Sequence, residues 1–254
     1  MAQNTSHAVM AQRAEPHDSL DDFPTQPWAT RALCEHVIFR IGKPEWNSSC
    51  PDTVLYRNAH RTDDIVCRNG AIVPPHFPIN GLTAWEPCCN RGHMSEPLKE
   101  YFGFVHTSDI YDYRAEYAGQ DRVVDFLWPG SEPADMEFNG IDWIIANPPF
   151  RLAEQFITKA LQIASVGVAM IVRTSFLEGV GRYENLFSQT PPNVVAQFSE
   201  RVPMVKGRLT ETGSTATAYC WLIWQQNASG VKLVWVPPCR KRLERASDYL
   251  EAAE

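Results

Sequence analysis

A short apolar segment followed by two consecutive prolines places the strongest constraint on the fold of this chain. Residues 142–146 read Asp-Trp-Ile-Ile-Ala, a run typical of a buried β-strand. Asn147-Pro148-Pro149-Phe150 follows at once, and the two prolines end the strand in a rigid corner. An amide side chain, a carbonyl and an aromatic ring are therefore expected together at the carboxyl end of a strand, where open α/β sheets bind ligands.

This corner suits the binding of a planar exocyclic amine. The Asn147 side-chain oxygen and the Pro148 carbonyl can accept the two amine hydrogens, while the Phe150 ring lies against the ring that carries the amine. The lone pair of such an amine is delocalised, and acceptors outside the ring plane favour its pyramidal, nucleophilic form in the transition state. Four residues are therefore candidate catalytic residues, namely Asn147, Pro148, Pro149 and Phe150.

A regular alternation of strands and helices predicts the fold class. Strands are predicted over 82–86, 104–108, 123–127, 142–146, 166–172 and 194–198, and helices from Pro27 onward and over 94–101, 152–164 and 183–188. Segments 215–224 and 231–236 are expected to pair as a hairpin across 227–230. The pattern predicts an α/β fold with a mostly parallel, doubly wound sheet that ends in an antiparallel hairpin.

The chain is expected to divide into three parts. Residues 1–20 are polar and mixed in charge and are predicted to be a disordered arm, without the apolar stretch of a signal peptide. Residues 21–236 form the predicted domain, with a proline-rich insertion at about 44–80. Residues 237–254 are predicted to be a basic, charged tail. Because the arm has neither a signal-peptide nor a transit-peptide pattern, we expect a cytoplasmic protein. No apolar run approaches the roughly 18 residues of a membrane span, so no membrane contact is expected.

The seven cysteines lack CxxC spacing, so we expect reduced thiols rather than disulfides. Cys50 and Cys67, with His60 and His76 nearby, offer a weak alternative as metal ligands, but their spacing is irregular. We therefore predict no metal centre.

An acidic residue lies at or near the end of each of three predicted strands that precede the corner. Glu86 ends the first strand, before a turn of small residues and a helix, an arrangement that lets a nucleoside cofactor approach the backbone. Asp109 ends the second strand about 23 residues later, where a carboxylate can accept both ribose hydroxyls. Asp125 lies in the next strand, before Phe126. Three acids in this order, followed by the corner, indicate one binding site.

These segments resemble the motifs of the amino-group DNA methyltransferases that use S-adenosylmethionine. Asn147-Pro148-Pro149-Phe150 resembles their catalytic loop, and residues 86–92 resemble motif I, acid-Pro-x-x-Gly-x-Gly, with Asn90 in place of the first glycine. Residues 124–127 resemble motif III of the adenine enzymes, and residues 23–28 (Phe-Pro-Thr-Gln-Pro-Trp) resemble motif X. Motif X first, then motif I, then the catalytic corner is the order of the gamma group.

The resemblance implies a Rossmann-like class I methyltransferase that transfers a methyl group from S-adenosylmethionine to the N6 amine of adenine in double-stranded DNA, with base flipping. It implies cofactor contacts from residues of motifs X, I and III and of the second strand end, namely Thr25, Pro27, Trp28, Glu86, Pro87, Cys88, Asn90, Gly92, Asp109, Ile110, Asp125 and Phe126. The segment from Phe198 to Met204 resembles motif VIII, which flanks the flipped base, and it opens a basic loop. DNA contacts are expected from Arg201, Met204, Lys206 and Arg208.

The chain departs from the gamma pattern in size. Only about 30 residues follow Trp224, whereas gamma enzymes usually carry a target-recognition domain there. Recognition is therefore expected from loops, from the 44–80 insertion or from a second subunit, and the protein is expected to be a monomer or a homodimer. The net charge of −7 argues against a surface that is basic throughout, but not against a local basic face.

Three alternatives stay open. The same corner occurs in enzymes that methylate adenine in RNA and in enzymes that methylate a glutamine amide in protein. Glutamine enzymes usually carry Tyr at the fourth position, where this chain has Phe150. A non-catalytic nucleic-acid-binding protein with this fold is the third alternative, and the presence of Asn147 and Asp109 argues against it.

Overall fold

The structure, a computed structural model, describes residues 21–39, 65–66, 72–73, 79–133, 140–213 and 215–249. The predicted arm, most of the 44–80 insertion and the end of the tail lie outside the described residues, as do Cys50, Cys67, His60 and His76. Within the described residues, Ile65–Val66 (β1) and Ile72–Val73 (β2) pair as a small antiparallel sheet.

The main sheet has eight strands, and it confirms the predicted fold class. The strands are Thr83–Glu86 (β3), Phe104–Asp109 (β4), Arg122–Val123 (β5), Trp143–Ala146 (β6), Gly167–Arg173 (β7), Val194–Phe198 (β8), Tyr219–Gln225 (β9) and Lys232–Val236 (β10). Their order is β10-β8-β9-β7-β6-β3-β4-β5, and β9 alone runs antiparallel to its neighbours. The order reverses between β3 and β6, so a topological switch point lies between the ends of these strands, which is where such sheets bind ligands.

The predicted hairpin between 215–224 and 231–236 is wrong in its pairing. β9 lies between β7 and β8 and is antiparallel to both, whereas β10 is parallel to β8 at the edge of the sheet. The side chains from Tyr219 to Trp224 are all buried, which requires a central position, whereas Leu233 and Trp235 remain more than half exposed, as an edge allows. The antiparallel end of the sheet is thus built from β8 and β9.

The predicted strand 123–127 is also wrong beyond its first residue. β5 comprises Arg122–Val123 only, and a turn follows in which an Asp125 side-chain oxygen accepts the Leu127 N–H at 2.9 Å. The Trp128 N–H donates to the Asp125 carbonyl in the same turn. Local hydrogen bonding by the aspartate therefore competes with the ladder and ends the strand early.

Helices cover both faces of the sheet. Pro27–Leu33 (α1) continues into a π-helical turn, Cys34–Ile38, and packs with Ser95–Lys99 (α2) against one face, burying Trp28, Trp143 and Trp221. Ala153–Ile163 (α3) covers the other face. Val180–Arg182 (α4) runs into the π-helical turn Tyr183–Phe187, and Thr174–Leu177 is 3-10. No described helix is long and apolar enough to cross a bilayer.

The first part of the predicted C-terminal tail is folded against α1. Arg240–Leu243 (α5) and the 3-10 turn Ala246–Tyr249 follow β10. The buried Arg31 guanidinium binds the Leu243 carbonyl, the Asp248 carboxylate and the Glu100 carboxylate. The tail arginines form ion pairs, Arg240 with Glu244, Arg242 with Glu35 and Arg245 with Glu100. Since these cations already have carboxylate partners, this cluster is a poor candidate for a phosphate-binding surface.

Candidate active site

A cavity of about 310 Å³ lies at the switch point between β3 and β6. It falls within the size range of small-molecule sites. Eleven of the sixteen residues predicted to bind a cofactor or to act in catalysis line it, from five separate parts of the chain. They are Thr25, Glu86, Pro87, Cys88, Asn90, Asp109, Ile110, Asp125, Phe126, Asn147 and Pro149.

Glu86 lines the cavity at the end of β3. Its side chain is buried and accepts a hydrogen bond from the Ser95 hydroxyl at the start of α2. Burial raises the pKa of Glu86 from its usual 4.5 to about 8, and the charge of Asp109 acts in the same direction. Glu86 is therefore protonated at neutral pH when no cation lies near it.

We expect the stability of the free protein to fall as the pH rises from about 4.5 to about 8, the two pKa limits of Glu86. In this window the folded state keeps the Glu86 proton while the unfolded chain has lost it, so the folded state binds more protons and stability declines with pH. Thermal unfolding of the wild type and of Glu86→Gln across this range measures the effect. The variant should show the flatter curve. Two curves with the same slope would contradict the assignment.

The turn after β3 has the backbone conformation of a glycine-rich turn, although Asn90 occupies the first glycine position of the motif I pattern. Asn90 adopts φ 47° and Gly92 φ 79°, both in the left-handed region, which asparagine tolerates better than most residues. A Cβ on Gly92 would lie 2.4 Å from the Tyr117 ring, so any other residue there would have to displace that ring as well as adopt a strained conformation. Gly92 supports the turn and does not line the cavity.

Asp109 organises this turn from the end of β4. Its carboxylate accepts the Asn90 N–H and the Tyr111 N–H, both at 3.0 Å. Burial raises the pKa of Asp109, and these backbone donors oppose the shift. Two N–H groups leave lone pairs on the carboxylate for a ligand in the cavity.

Asp125 and Phe126 take different positions in the same wall. Asp125 is exposed, and one of its carboxylate oxygens is used within its own turn, so the other remains for a ligand. Phe126 is 1% exposed and packs edge-to-face on Trp85 at 5.0 Å between ring centroids. Much of the Phe126 ring is therefore part of the core, and Ile110 and Leu127 add apolar surface to this side of the cavity.

The segment that precedes α1 supplies an unsatisfied polar group. The Thr25 hydroxyl oxygen is buried at the cavity and has no hydrogen-bond partner among the described residues. A buried hydroxyl without a partner is unfavourable, so this atom fits a ligand that brings a polar group to it. Pro27 and Trp28 do not reach the cavity, because Pro27 begins α1 and Trp28 is buried in the core.

The structure fixes the orientation of the Asn147 amide. Its Nδ2 donates to the Phe23 carbonyl at 2.8 Å, and a carbonyl can only accept, so the amide nitrogen must face Phe23. Oδ1 accepts no hydrogen bond from a described residue and is not enclosed. The Pro148 carbonyl likewise accepts no backbone hydrogen bond from a described residue. Two acceptors thus remain available at this corner.

Phe150 lies on the outer side of the corner and not in the cavity. Its N–H donates to the Asp21 carboxylate at 2.6 Å, and its ring packs on Phe23 with the centroids 5.4 Å apart. The Arg173 guanidinium carbon lies 3.9 Å from the Phe150 ring centroid and covers that ring face. The predicted stacking of an acceptor ring on Phe150 is therefore restricted to surface that Arg173 leaves open.

The four predicted DNA-contacting residues lie beside this corner, in two different environments. Met204 is 4% exposed, and its sulfur is 3.9 Å from the Asn147 Nδ2, so it belongs to the support of the corner. Arg201, Lys206 and Arg208 are exposed. The Arg201 guanidinium donates to the Ala216 carbonyl at 2.9 Å.

Asp22 ties the basic loop to the turn after β3. The Gly207 N–H donates to the Asp22 carbonyl, and the Asp22 carboxylate pairs with Arg91 at 3.0 Å and accepts the Asn90 side-chain N–H. The Arg91 guanidinium also donates to the Gly207 carbonyl at 3.1 Å. The loop is thus held beside the turn that contributes Asn90 to the cavity wall.

Sequence reasoning missed several residues of the site. The cavity is also lined by Asp21, Phe23, Pro24, Cys89, His93, Met94, Tyr113, Leu127, Leu152 and Phe156. Phe23 lies in the segment that resembles motif X and His93 directly follows the one that resembles motif I, so both could have been predicted from the sequence. Tyr113 follows β4, and no sequence pattern indicates a role for it. Burial lowers the pKa of His93 to about 4, so its imidazole is neutral at pH 7.

Comparison with known proteins gives matches among solved structures only. No protein-family model matches the chain, and no curated protein matches it. One similar structure is a protein from Listeria monocytogenes described as a class I S-adenosylmethionine-dependent methyltransferase, with a TM-score of 0.42 and 12% identity over 65% of this chain. A second is the 23S rRNA methyltransferase ErmE, with a TM-score of 0.38 and 14% identity over 59% of this chain.

A third is a protein from Vibrio vulnificus YJ016 described as a modification subunit of a type I restriction enzyme, with a TM-score of 0.42 and 14% identity over 67% of this chain. The matched regions cover 60%, 65% and 46% of these three chains, so this chain spans less than two thirds of the length of each. These similarities are in the path of the backbone alone. The strand order itself establishes the fold class.

Proposed function

We propose that this protein transfers the methyl group of S-adenosylmethionine to the N6 amine of adenine in DNA. The observation that carries the proposal is the Asn147 amide, whose nitrogen is fixed on the Phe23 carbonyl so that Oδ1 remains open as an acceptor. Oδ1 and the free Pro148 carbonyl are suited to the two hydrogens of an exocyclic amine. The cavity for the methyl donor begins at the same asparagine.

The lining of the cavity fits S-adenosylmethionine in its chemistry. The Asp109 carboxylate has lone pairs for ribose hydroxyls, and the second Asp125 oxygen can accept an adenine amine, beside the apolar Ile110. The unpaired Thr25 hydroxyl can donate to the carboxylate of the methionine portion. Glu86 becomes a carboxylate if a cation binds beside it, so cofactor binding near neutral pH should release a proton.

The residues of the corner would act on the acceptor. Oδ1 of Asn147 and the Pro148 carbonyl would hold the amine with its lone pair directed out of the ring plane, and they would bind more strongly as positive charge develops on nitrogen. S-adenosylmethionine supplies an activated methyl group on a sulfonium. Transfer joins that methyl carbon to N6 as the bond to sulfur breaks, the bond's electron pair stays on sulfur, and N6 releases one proton to water.

DNA is favoured over the other acceptors because the basic loop lies beside the turn that lines the cavity. Arg201, Lys206 and Arg208 are exposed on a segment that Asp22 and Gly207 hold beside the turn after β3. RNA adenine is the second candidate, since the same loop would serve either backbone. A glutamine amide in a protein would not require these cations.

We expect the triple variant Arg201→Ala, Lys206→Ala, Arg208→Ala to bind duplex DNA more weakly and with a smaller dependence on salt. Each lost phosphate contact should lower the slope of log K against log salt by about 0.9 on duplex DNA. Filter binding across a salt series measures this, and Arg242→Ala with Arg245→Ala is a control on the paired C-terminal cluster. An unchanged slope in the triple variant would place the DNA contacts elsewhere.

Transfer of labelled methyl groups from S-adenosylmethionine tests the proposed function. The purified protein is offered duplex DNA, single-stranded RNA and a protein extract in separate reactions, and the labelled product is identified by its chemistry. We expect N6-methyladenine in the DNA reaction. Label found only in RNA adenine or only in glutamine side chains would assign the corresponding alternative, and binding of S-adenosylmethionine without any transfer would favour a non-catalytic protein.

A further inference from the structure

Arg173 lies at the acceptor corner but belongs to no sequence motif. It is the last residue of β7, which runs parallel to β6, so Arg173 and Asn147 both emerge at the carboxyl edge of the sheet. Its guanidinium carbon is 3.9 Å from the Phe150 ring centroid and 5.9 Å from the Phe23 ring centroid. Its cross-strand neighbour in β9 is the buried Tyr219. Three aromatic rings therefore fix its position.

The guanidinium of Arg173 has no direct ion-pair partner among the described residues around it. In the part of the chain that the structure describes, Arg173 forms no ion pair with a carboxylate, and its Nε is buried without a hydrogen-bond partner. Cation–π contacts recover about 0.5–2 kcal/mol, less than the several kcal/mol that removing an ion from water costs. A half-buried guanidinium with unused donors at an acceptor site is therefore suited to an anion that the acceptor brings with it.

Arg182 provides the contrast within the same protein. It also covers a phenylalanine ring, with its guanidinium carbon 4.5 Å from the Phe176 centroid. Its donors, however, are used by the Phe176 and Glu178 carbonyls, and its Nε pairs with the Glu154 carboxylate at 3.3 Å. Stacking on a ring thus does not require an unpaired cation. Arg173, by contrast, forms no ion pair with a described residue, and the Asp21 carboxylate in the same corner is bonded to the Phe150 N–H.

We propose that Arg173 binds the phosphate next to the target nucleotide and thereby positions that nucleotide against Asn147. This inference rests on the proposed function, because the phosphodiester is the anion that every nucleotide in DNA carries. A planar guanidinium can bind two phosphate oxygens at once, which fixes orientation as well as distance. Arg173 is accordingly a substrate-binding residue whose contact selects nucleotides over acceptors that have no anion beside the amine, such as a glutamine side chain.

Neutral phosphate analogues test the contact. Duplexes that carry a single methylphosphonate at one of the positions flanking the target adenine are bound to the full-length protein with S-adenosylhomocysteine present. In the wild type, a methylphosphonate at one of these positions should weaken DNA binding about tenfold, the effect expected for the loss of a charged hydrogen bond. Arg173→Met should bind unmodified DNA about tenfold more weakly, lose nothing further at that position, and show a salt slope smaller by about 0.9.

Two variants keep the test interpretable. Arg182→Met should show the wild-type pattern. Arg173→Lys keeps the charge and should retain the methylphosphonate penalty, and it provides the test if Arg173→Met proves unstable. S-adenosylhomocysteine affinity should be unchanged in Arg173→Met, since Arg173 does not line the cavity. A penalty in Arg173→Met equal to that of the wild type at each position would overturn the inference and leave the proposed function standing. No methyl transfer to DNA by the wild type would overturn both.

Discussion

Replacing Asn147 by alanine is expected to lower the rate of methyl transfer a hundredfold or more and to leave cofactor affinity nearly unchanged. The side-chain oxygen that would accept the amine hydrogen is lost, whereas the contacts that fit the cofactor come from other residues. One transition-state hydrogen bond in a site closed to water is worth about 3 kcal/mol. Single-turnover transfer with saturating cofactor measures the chemical step, and calorimetry measures the affinity for S-adenosylmethionine.

A matched control separates this effect from a general loss of folding. Asn185 is exposed, far from the corner in sequence, and makes no side-chain hydrogen bond to a described residue, so Asn185→Ala should transfer methyl groups at the wild-type rate. Asn147→Ala also removes the bond to the Phe23 carbonyl, and thermal unfolding reports that structural cost. Near-normal single-turnover transfer by Asn147→Ala would exclude the corner as the site of reaction.

Replacing Asp109 by alanine is expected to weaken S-adenosylmethionine binding roughly ten- to hundredfold. A hydrogen bond to a charged group is worth about 1.5–3 kcal/mol, and the ribose contact would be lost. The structure adds a second cause, because the same carboxylate holds the Asn90 N–H and so maintains the turn after β3. Asp125→Ala should have the smaller effect, since Asp125 is exposed and supports only its own turn.

Asp112 offers the control for this measurement. It lies three residues beyond Asp109, is exposed, and pairs with Arg114 at 2.6 Å outside the cavity. Calorimetry should give Asp112→Ala the affinity of the wild type. If Asp109→Ala and Asp125→Ala both bound S-adenosylmethionine as tightly as Asp112→Ala, the cavity would not be the cofactor site.

The parts of the fold and of the site that could be predicted from the sequence are those that a few neighbouring residues determine. A buried strand reads as an apolar run, and a polar residue at its end marks the ligand edge of the sheet, as Glu86, Asp109 and Asn147 do. The left-handed conformation of Asn90 was likewise readable, because few other residues tolerate it. These features depend on neighbours within a few positions.

The remainder depends on contacts between distant segments, which periodicity does not encode. β9 joins β7 and β8 instead of the nearby β10, because only a central position buries its whole apolar run. Arg173 reaches Phe150 and Tyr219 from a strand whose sequence marks it merely as buried. The link from Gly207 through Asp22 to Arg91 joins the basic loop to the turn after β3, and no sequence pattern in either segment indicates that contact.

Sequencing that detects modified bases, on DNA from cells that express this chain, tests the central claim most directly. Cells that express Asn147→Ala provide the background. We expect N6-methyladenine within a short recurring sequence in the wild-type sample and its absence in the variant sample. DNA without N6-methyladenine, from cells that contain folded protein able to bind S-adenosylmethionine, would contradict the assignment of adenine in DNA as the acceptor.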